Sequence, residues 1–157
     1  MTCSTFARPR RQLPESIEVR LAEVADAPEL ARLNQAFNGV VEPPEELAAR
    51  LVDPRRVDYP LLALAGGRAV GFASLRLAPC VFYPEPYAEL AELYVEPGWR
   101  RRGVGKALVS MAESLARQAG AAEIVLLTGP GNLGGQAFYR AMGYRLADLE
   151  MVKDLNG

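Results

Sequence analysis

The sequence predicts one α/β domain with a mixed, mostly antiparallel central sheet of six to seven strands and helices on both faces. A length of 157 residues suits one domain. Short segments of alternating apolar and polar residues are typical of strands, and longer segments with helical spacing are typical of helices. Glycine and proline separate them, which gives the element order β α α β β β α β α β. We expect residues 1–15, which are polar and interrupted by proline, to form a mobile leader before a single domain over 16–157.

The first half predicts a strand, two helices and a hairpin. Apolar residues alternate over 17–21, which indicates the first strand. Asp26 is a suitable N-cap for a helix that begins near Pro28 and ends at Gly39. A shorter helix follows over 45–52. Two apolar segments, 61–65 and 69–77, then flank Gly66-Gly67, which is a hairpin pattern.

The second half predicts a β-α-β unit and a closing segment. After an aromatic, proline-rich loop over 78–87, residues 89–95 read as a strand, and a strong amphipathic helix runs from Val104 to Gly120. Residues 123–127 are apolar enough for a buried strand, and a right-handed crossover would make it parallel to 89–95. A glycine-rich loop over 129–135 leads to a helix over about 136–142, and 144–153 supply one or two closing strands.

Composition excludes several classes of function. The chain has no histidine, which removes His-based triads, histidine general bases and nearly all catalytic zinc sites. Cys3 and Cys80 show no metal spacing, so we expect no metal and a reducing, cytoplasmic compartment. No apolar run approaches the ~20 residues of a membrane span. A net charge of −1 disfavours a nucleic-acid partner.

Residues 100–106, RRRGVGK, hereafter the glycine loop, lie between a predicted strand and the strong helix. A glycine turn at a helix N-terminus suits phosphate, because free N–H groups and the helix dipole point at the ligand. Cationic side chains surround the same point: Arg100, Arg101, Arg102 and Lys106. Walker A fails because Val104 stands in place of its lysine, and the dinucleotide fingerprint fails because Leu108 stands at its third glycine. An ordinary turn and a nucleic-acid-facing patch are the alternatives.

The pattern that fits is Arg-x-x-Gly-x-Gly, with Arg100, Gly103 and Gly105. Here the sequence resembles the GCN5-related N-acetyltransferases, the GNAT superfamily, which usually carry glycine in place of Arg101. A second motif of that family follows as N132-LGGQA-FY-RAM-GY, with Gly135 where alanine is frequent. The resemblance covers the element order over 17–155 and the detail of residues 88–145.

The resemblance implies transfer of an acetyl group from acetyl-CoA to a primary amine by direct attack in a ternary complex. It implies that the cofactor is held by the glycine loop, by Asn132 and by strand backbone, the residues being Leu93, Tyr94, Val95, Arg100, Arg101, Arg102, Gly103, Val104, Gly105, Lys106, Asn132 and Tyr139. A backbone N–H at a bulge of the 89–95 strand would stabilise the developing oxyanion. Tyr139 matches the family's general acid, which returns a proton to the leaving thiolate. Asn132 could instead be a helix cap and Tyr139 a core residue.

Without histidine, the base must be a carboxylate, a tyrosine or a chain of waters. Glu89 occupies the position at which the GCN5 enzymes carry their base, counted back from Arg100, and Glu92 is the alternative. In a regular strand the two would face opposite sides, so one alone would reach the site unless a bulge intervenes. Either could also be an ordinary surface carboxylate.

The acceptor is expected to contact the first two helices and the 78–87 loop. Acidic and aromatic residues concentrate there, which favours a cationic small-molecule or peptide amine: Glu42, Glu45, Glu46, Asp53, Asp58, Glu85, Phe82, Tyr83 and Tyr87. A mixed-charge surface is the alternative. A homodimer stays open, and two other functions remain: a non-catalytic acetyl-CoA sensor and an RNA-binding role for the arginines.

Overall fold

The computed structural model describes residues 16–156, in two compact units that divide after Leu126. The first unit holds all four strands in the order β1-β2-β3-β4, with every neighbouring pair antiparallel. The strands are β1 (Ile17–Leu21), β2 (Asp58–Ala65), β3 (Arg68–Ala78) and β4 (Tyr87–Val95). The helices of this unit are α1 (Ala27–Asn38), α2 (Pro44–Leu51) and α3 (Val104–Gln118). The second unit contains α4 (Leu133–Ala141).

Two layers of helices cover the sheet of the first unit. Leu30 and Leu33 of α1 pack with Leu62 and Phe72 on one face. Because side chains alternate along a strand, Leu61 and Leu75 point to the other face, and both are fully buried. Leu108 and Val109 of α3 are fully buried too, and α3 contacts all four strands. The prediction of helices on both faces is confirmed in this unit.

The predicted hairpin and the end of α1 at Gly39 are also confirmed, but the predicted cap by Asp26 is wrong. Gly66 and Gly67 join β2 to β3, and both have positive φ angles of 56° and 83°. Gly39 ends α1 in the left-handed conformation, with its N–H donating to Gln35 O. Asp26 precedes α1 but its carboxylate does not cap that helix. It pairs with Arg20 and accepts from the N–H of Glu23.

The predicted count of six to seven strands is wrong. The strand predicted over 123–127 is reduced to one parallel bridge, Glu89 to Val125, in which Leu90 N donates to Val125 O at 2.8 Å. Residues 144–153 form no strand. Their alternation of apolar and polar residues is suitable for a strand, but side-chain pattern alone does not supply a neighbour with free backbone groups. Helix α4 begins three residues earlier than the predicted start at 136, because Asn132 rather than a later residue caps it.

A candidate acetyl-transfer site

A bulge in β4 decides which side chains share a face of the sheet. Ser74 pairs with Glu92, but the next residue of β3, Leu75, pairs with Leu90, so Ala91 is an extra residue on β4. Glu89 lies opposite Arg76, and Arg76 is two residues from Ser74. Residues two apart on a strand point the same way, so Glu89 and Glu92 lie on the same face. The sequence spacing of three had predicted opposite faces for an unbulged strand.

Charged residues of three strands therefore meet on this face. We call Asp58, Ser74, Arg76, Glu89 and Glu92 the charged sheet face. Arg76 donates from Nε to Asp58 Oδ1 at 2.9 Å and from Nη1 to Glu89 Oε2 at 3.2 Å. Both carboxylates are direct cross-strand neighbours of Arg76. The guanidinium is thus held between two carboxylates, one on each side.

Glu92 differs from Glu89 in its surroundings. Within residues 16–156 its carboxylate has no ion pair and accepts no hydrogen bond. Burial raises the pKa of Glu92, the charge of Asp58 raises it further, and the charge of Arg76 opposes the shift. A half-buried, unpaired carboxylate with a raised pKa has the properties of a general base. Glu89, by contrast, is engaged by Arg76.

The glycine loop has the backbone of an anion site. Gly103 is the N-cap of α3 with a φ of 83°, a conformation that suits glycine. The first bond of the helix runs from Ala107 N to Gly103 O at 3.0 Å. The N–H groups of residues 104–106 precede that bond and point out of the helix end. Such N–H groups fit the pyrophosphate of a CoA molecule.

The cations of this loop are mostly exposed. Arg100 is anchored, because its Nε donates to Val95 O at 3.0 Å, and Arg102 stacks over the ring of Trp99 at 5.1 Å. Arg101 and Lys106 are exposed. Arg101 has a φ of 62° and is the one non-glycine residue with positive φ among residues 16–156. Glycine adopts that conformation without strain, so the structure gives a physical reason for the glycine that the family resemblance implies at this position.

The other predicted cofactor residues contribute backbone rather than side chain. Val104 is 1% exposed, so its side chain belongs to the core and only its backbone could contribute. The Tyr94 ring packs against Phe37 at 5.6 Å and Phe72 at 6.2 Å, which commits it to the core. Leu93, Tyr94 and Val95 lie on β4 beyond the bulge, past the point at which Val125 pairs with the strand. Gly71 allows β3 to lie close to the β4 backbone at this point, since a Cβ there would lie 2.7 Å from Tyr94 O.

The second unit carries the remaining predicted residues. Asn132 caps α4, with its Oδ1 accepting from Gly135 N at 3.0 Å and its Nδ2 donating to Thr128 Oγ1 at 3.2 Å. Gly135 leaves no space for a Cβ, which would meet the Asn132 amide. Tyr139 packs edge-on against Phe138 and Tyr144, at 5.2 and 5.7 Å between ring centroids. Burial raises the pKa of Tyr139, so its hydroxyl keeps its proton at neutral pH.

Arginines neutralise part of the negative charge in the region predicted to bind the acceptor. Asp53 pairs with Arg55, Glu42 with Arg50 and Asp58 with Arg76. In the 79–86 loop, Phe82 and Tyr83 are 87% and 69% exposed. Shallow depressions lie on both sides of Cys80 in this loop. The sequence missed Ser74 and Arg76, because only strand register shows that they face the two glutamates.

Two findings bear on a metal or a membrane. Among residues 16–156, no group of three or more metal-ligating side chains is arranged to hold an ion. No helix within the same residues is both long and apolar enough to cross a membrane. The leader and Cys3 lie outside the described residues.

Comparison with known proteins identifies the family. Residues 27–144 match the model of the acetyltransferase (GNAT) family. The aminoalkylphosphonate N-acetyltransferase of Salmonella typhimurium is 36% identical over 108 residues, 69% of each chain. The aminoglycoside N(6')-acetyltransferase type 1 of Stenotrophomonas maltophilia is 32% identical over 130 residues, which cover 80% of this chain and 84% of the relative.

Solved structures agree on the fold. An aminoglycoside N-acetyltransferase in complex with CoA superposes with a TM-score of 0.78 at 20% identity, covering 94% of this chain and 98% of that one. A putative acetyltransferase from Agrobacterium tumefaciens gives a TM-score of 0.77 at 26% identity, over 87% of this chain and 99% of the other. Together with the glycine loop and the family match, these results establish that the chain belongs to the GNAT family and is an N-acetyltransferase that uses acetyl-CoA.

Proposed function

We propose that this protein acetylates a cationic primary amine, with Glu92 as general base and Tyr139 as general acid. The observation that carries the proposal is the β4 bulge, because it turns Glu92 onto the charged sheet face, where its carboxylate has no ion pair with residues 16–156. Two relatives are named for small amine substrates, an aminoalkylphosphonate and an aminoglycoside. Both names support an amine acceptor, but only the aminoglycoside is polycationic, because an aminoalkylphosphonate also carries an anionic phosphonate group.

The chemistry assigns one task to each residue. An alkyl amine has a pKa of about 10.4, so it is almost entirely protonated at pH 7 and must lose a proton before it attacks. Glu92 would accept that proton, directly or through one water. As nitrogen bonds to the thioester carbon, a backbone N–H at the bulge would stabilise the oxyanion. The C–S bond then breaks, and Tyr139 would give its proton to sulfur.

Acetyl-CoA is the acetyl donor, and the proposed binding residues fit its parts. The glycine loop, Arg100–Arg102 and Lys106 would hold its phosphates. Backbone groups of Leu93, Tyr94 and Val95 would pair with the pantetheine amides as an added strand would. Asn132 has one further hydrogen-bonding position on each side-chain atom, so capping α4 is compatible with a bond to the pantetheine. We also propose that 16–157 act as one catalytic domain.

The acceptor is proposed to be cationic because the charged sheet face carries three carboxylates and one guanidinium. With Glu92 ionised, this face has an excess of two negative charges. Such an excess attracts an ammonium group and rejects an acidic substrate. Tyr83 and Tyr87 near the start of β4 would offer aromatic surface to the rest of the molecule.

The test is thiol release from acetyl-CoA across a panel of amines that includes sisomicin, spermidine, aminomethylphosphonate and a lysine peptide. We expect release with at least one cationic amine, and none without protein. Tyr139→Phe should lower turnover but leave acetyl-CoA affinity unchanged. Gly103→Val should abolish acetyl-CoA binding in a folded protein. Saturable acetyl-CoA binding without release from any amine would contradict the proposal and favour a sensor.

A further inference from the structure

Arg76 lies at the centre of the charged sheet face, and the reaction as proposed gives it no task. Its guanidinium is on β3, with Asp58 of β2 on one side and Glu89 of β4 on the other. The side chain of Glu89 is 14% exposed, whereas those of Arg76 and Asp58 are 41% and 44% exposed. Arg76 thus pairs with both carboxylates, of which Glu89 is the more buried.

Because of the bulge, the ion pair between Arg76 and Glu89 affects which glutamate can act as the base. It brings two glutamates to the same face, and either could take a proton from an amine. Two carboxylates on one face are alternative proton acceptors for the same amine. Because the reaction needs one base, a further group must determine which of the two glutamates accepts the proton.

Arg76 distinguishes the two glutamates by its hydrogen bond to one of them. Its Nη1 donates to Glu89, which lies directly across the strand pair. Glu92 lies opposite Ser74, two residues from Arg76 on β3, and receives no hydrogen bond from residues 16–156. The charge-assisted hydrogen bond from Arg76 occupies one oxygen of the Glu89 carboxylate. Glu89 is therefore engaged by Arg76, and Glu92 remains able to exchange a proton.

We propose that Asp58 and Arg76 are positioning residues that make Glu92, and not Glu89, the proton acceptor of this site. Arg76 binds Glu89 and removes it from competition. Asp58 binds Arg76 from the other side, so that the positive charge next to Glu92 is partly neutralised. The inference rests on the proposed role of Glu92 and goes beyond it, since it assigns two residues that touch no substrate in the proposal.

The proposal predicts that Arg76 and Asp58 have opposite effects on the ionisation of Glu92. The charged groups that act on Glu92 are Asp58 of β2 and Arg76 of β3. Glu89 lies on the same face of its own strand. Leu33 of α1 and Leu47 and Leu51 of α2 belong to the apolar cluster that also contains Phe72 and Tyr94. Loss of the positive charge should therefore make Glu92 harder to ionise, and loss of Asp58 should make it easier.

The experiment is a titration of glutamate side-chain carbons by NMR in the full-length protein, with Glu92→Gln used to assign the Glu92 signal. We expect the Glu92 midpoint to rise by about 0.5–1 pH unit in Arg76→Gln and to fall in Asp58→Asn. Arg76→Lys keeps the charge and should return the midpoint to near the wild-type value. A general loss of folding would not shift the Glu92 midpoint in opposite directions in Arg76→Gln and Asp58→Asn.

The outcomes separate the two proposals. Unchanged midpoints, or shifts in the same direction in Arg76→Gln and Asp58→Asn, would overturn the positioning role. The acid limb of kcat/KM for the best amine of the panel should move with the midpoints. If Glu92→Gln keeps wild-type turnover, the proposed base is wrong even if the midpoints shift. If Glu92→Gln is inactive and the midpoints stay fixed, the positioning role alone is wrong.

Discussion

Glu92 is partly buried and has no ionic partner among residues 16–156, and this combination has a consequence for stability. Its folded-state pKa is raised, chiefly by burial, above the value of about 4.3 expected in an unfolded chain. A group with a raised carboxyl pKa binds protons more tightly when folded. Stability from this group is therefore present at low pH and is lost as pH rises through the folded pKa.

Glu92→Gln should accordingly raise the melting temperature at pH 7–8 relative to wild type, with the gain shrinking below pH 4, where both side chains are neutral. Glu89→Gln is the matched control, since Glu89 is paired with Arg76 and its loss should not stabilise the protein. The measurement is thermal unfolding from pH 4 to 8. A gain that is the same at every pH would show that desolvation of the charge is not its cause.

Arg101 is the second residue with a measurable consequence, because its left-handed backbone is strained for a side chain with a Cβ. Arg101→Gly should stabilise the protein by about 1 kcal/mol, or roughly 2–4 °C in Tm for a chain of this size. It should weaken acetyl-CoA binding if the guanidinium contacts a phosphate. Arg102→Gly is the control: Arg102 lacks the positive φ and stacks on Trp99, so its replacement should not stabilise. A lower Tm in Arg101→Gly would contradict the strain.

At the scale of elements, β4 and α4 each carry one of the proposed catalytic residues. The bulge at Ala91 turns Glu92 toward the charged sheet face, and the following segment leads into the glycine loop. Helix α4 begins at a cap whose geometry requires glycine at Gly135. The cap is important for α4, because a helix of nine residues is only marginally stable by itself.

Gly135→Ala should therefore destabilise α4 by about 1 kcal/mol, the typical value of a lost cap, although alanine is the better helix former. Gly134→Ala is the matched control, because its Cβ would meet nothing within 4 Å, and it should stabilise α4. Amide hydrogen exchange of residues 135–141 measures both effects. Equal protection in the two variants would contradict the account of the cap.

The sequence was sufficient for elements whose signal is local. The β2–β3 hairpin, α1 and α3 follow from turn glycines and helical spacing, and the glycine loop follows from residues 100–106. The bulge has no signature in side chains, so the shared face of Glu89 and Glu92 could not be predicted from their spacing. Arg76 was missed because its neighbours are set by register. The strands over 123–127 and 144–153 were predicted from pattern, but a strand also requires a partner for its backbone.

At the scale of the whole molecule, charge is separated although the net charge is −1. Cations concentrate at the N-terminal end of α3, and carboxylates on the charged sheet face. Interactions of exposed charges are screened over about 8–10 Å at physiological salt. The two regions should therefore attract an anionic donor and a cationic acceptor separately.

Affinity for CoA should fall several-fold when salt rises from about 0.05 to 0.5 M, because screening weakens contacts between phosphates and exposed arginines. Calorimetry at several salt concentrations measures this, with Lys106→Gln expected to reduce the dependence and Lys153→Gln, distant in sequence from the loop, serving as control. An affinity independent of salt would contradict a phosphate-binding role for these cations. Binding of a homopolymeric RNA with the same salt dependence would instead support the nucleic-acid alternative.

The measurement that tests the central claim most directly is the pH dependence of thiol release by Glu92→Gln and Glu89→Gln, using the best amine found in the panel. The account predicts that Glu92→Gln loses turnover by roughly 10²–10⁴-fold, the usual contribution of a general base, and loses the acid limb of its pH profile. Glu89→Gln should retain far more activity, with a displaced acid limb. A Glu89→Gln variant that is inactive beside a Glu92→Gln variant of wild-type rate and profile would contradict it.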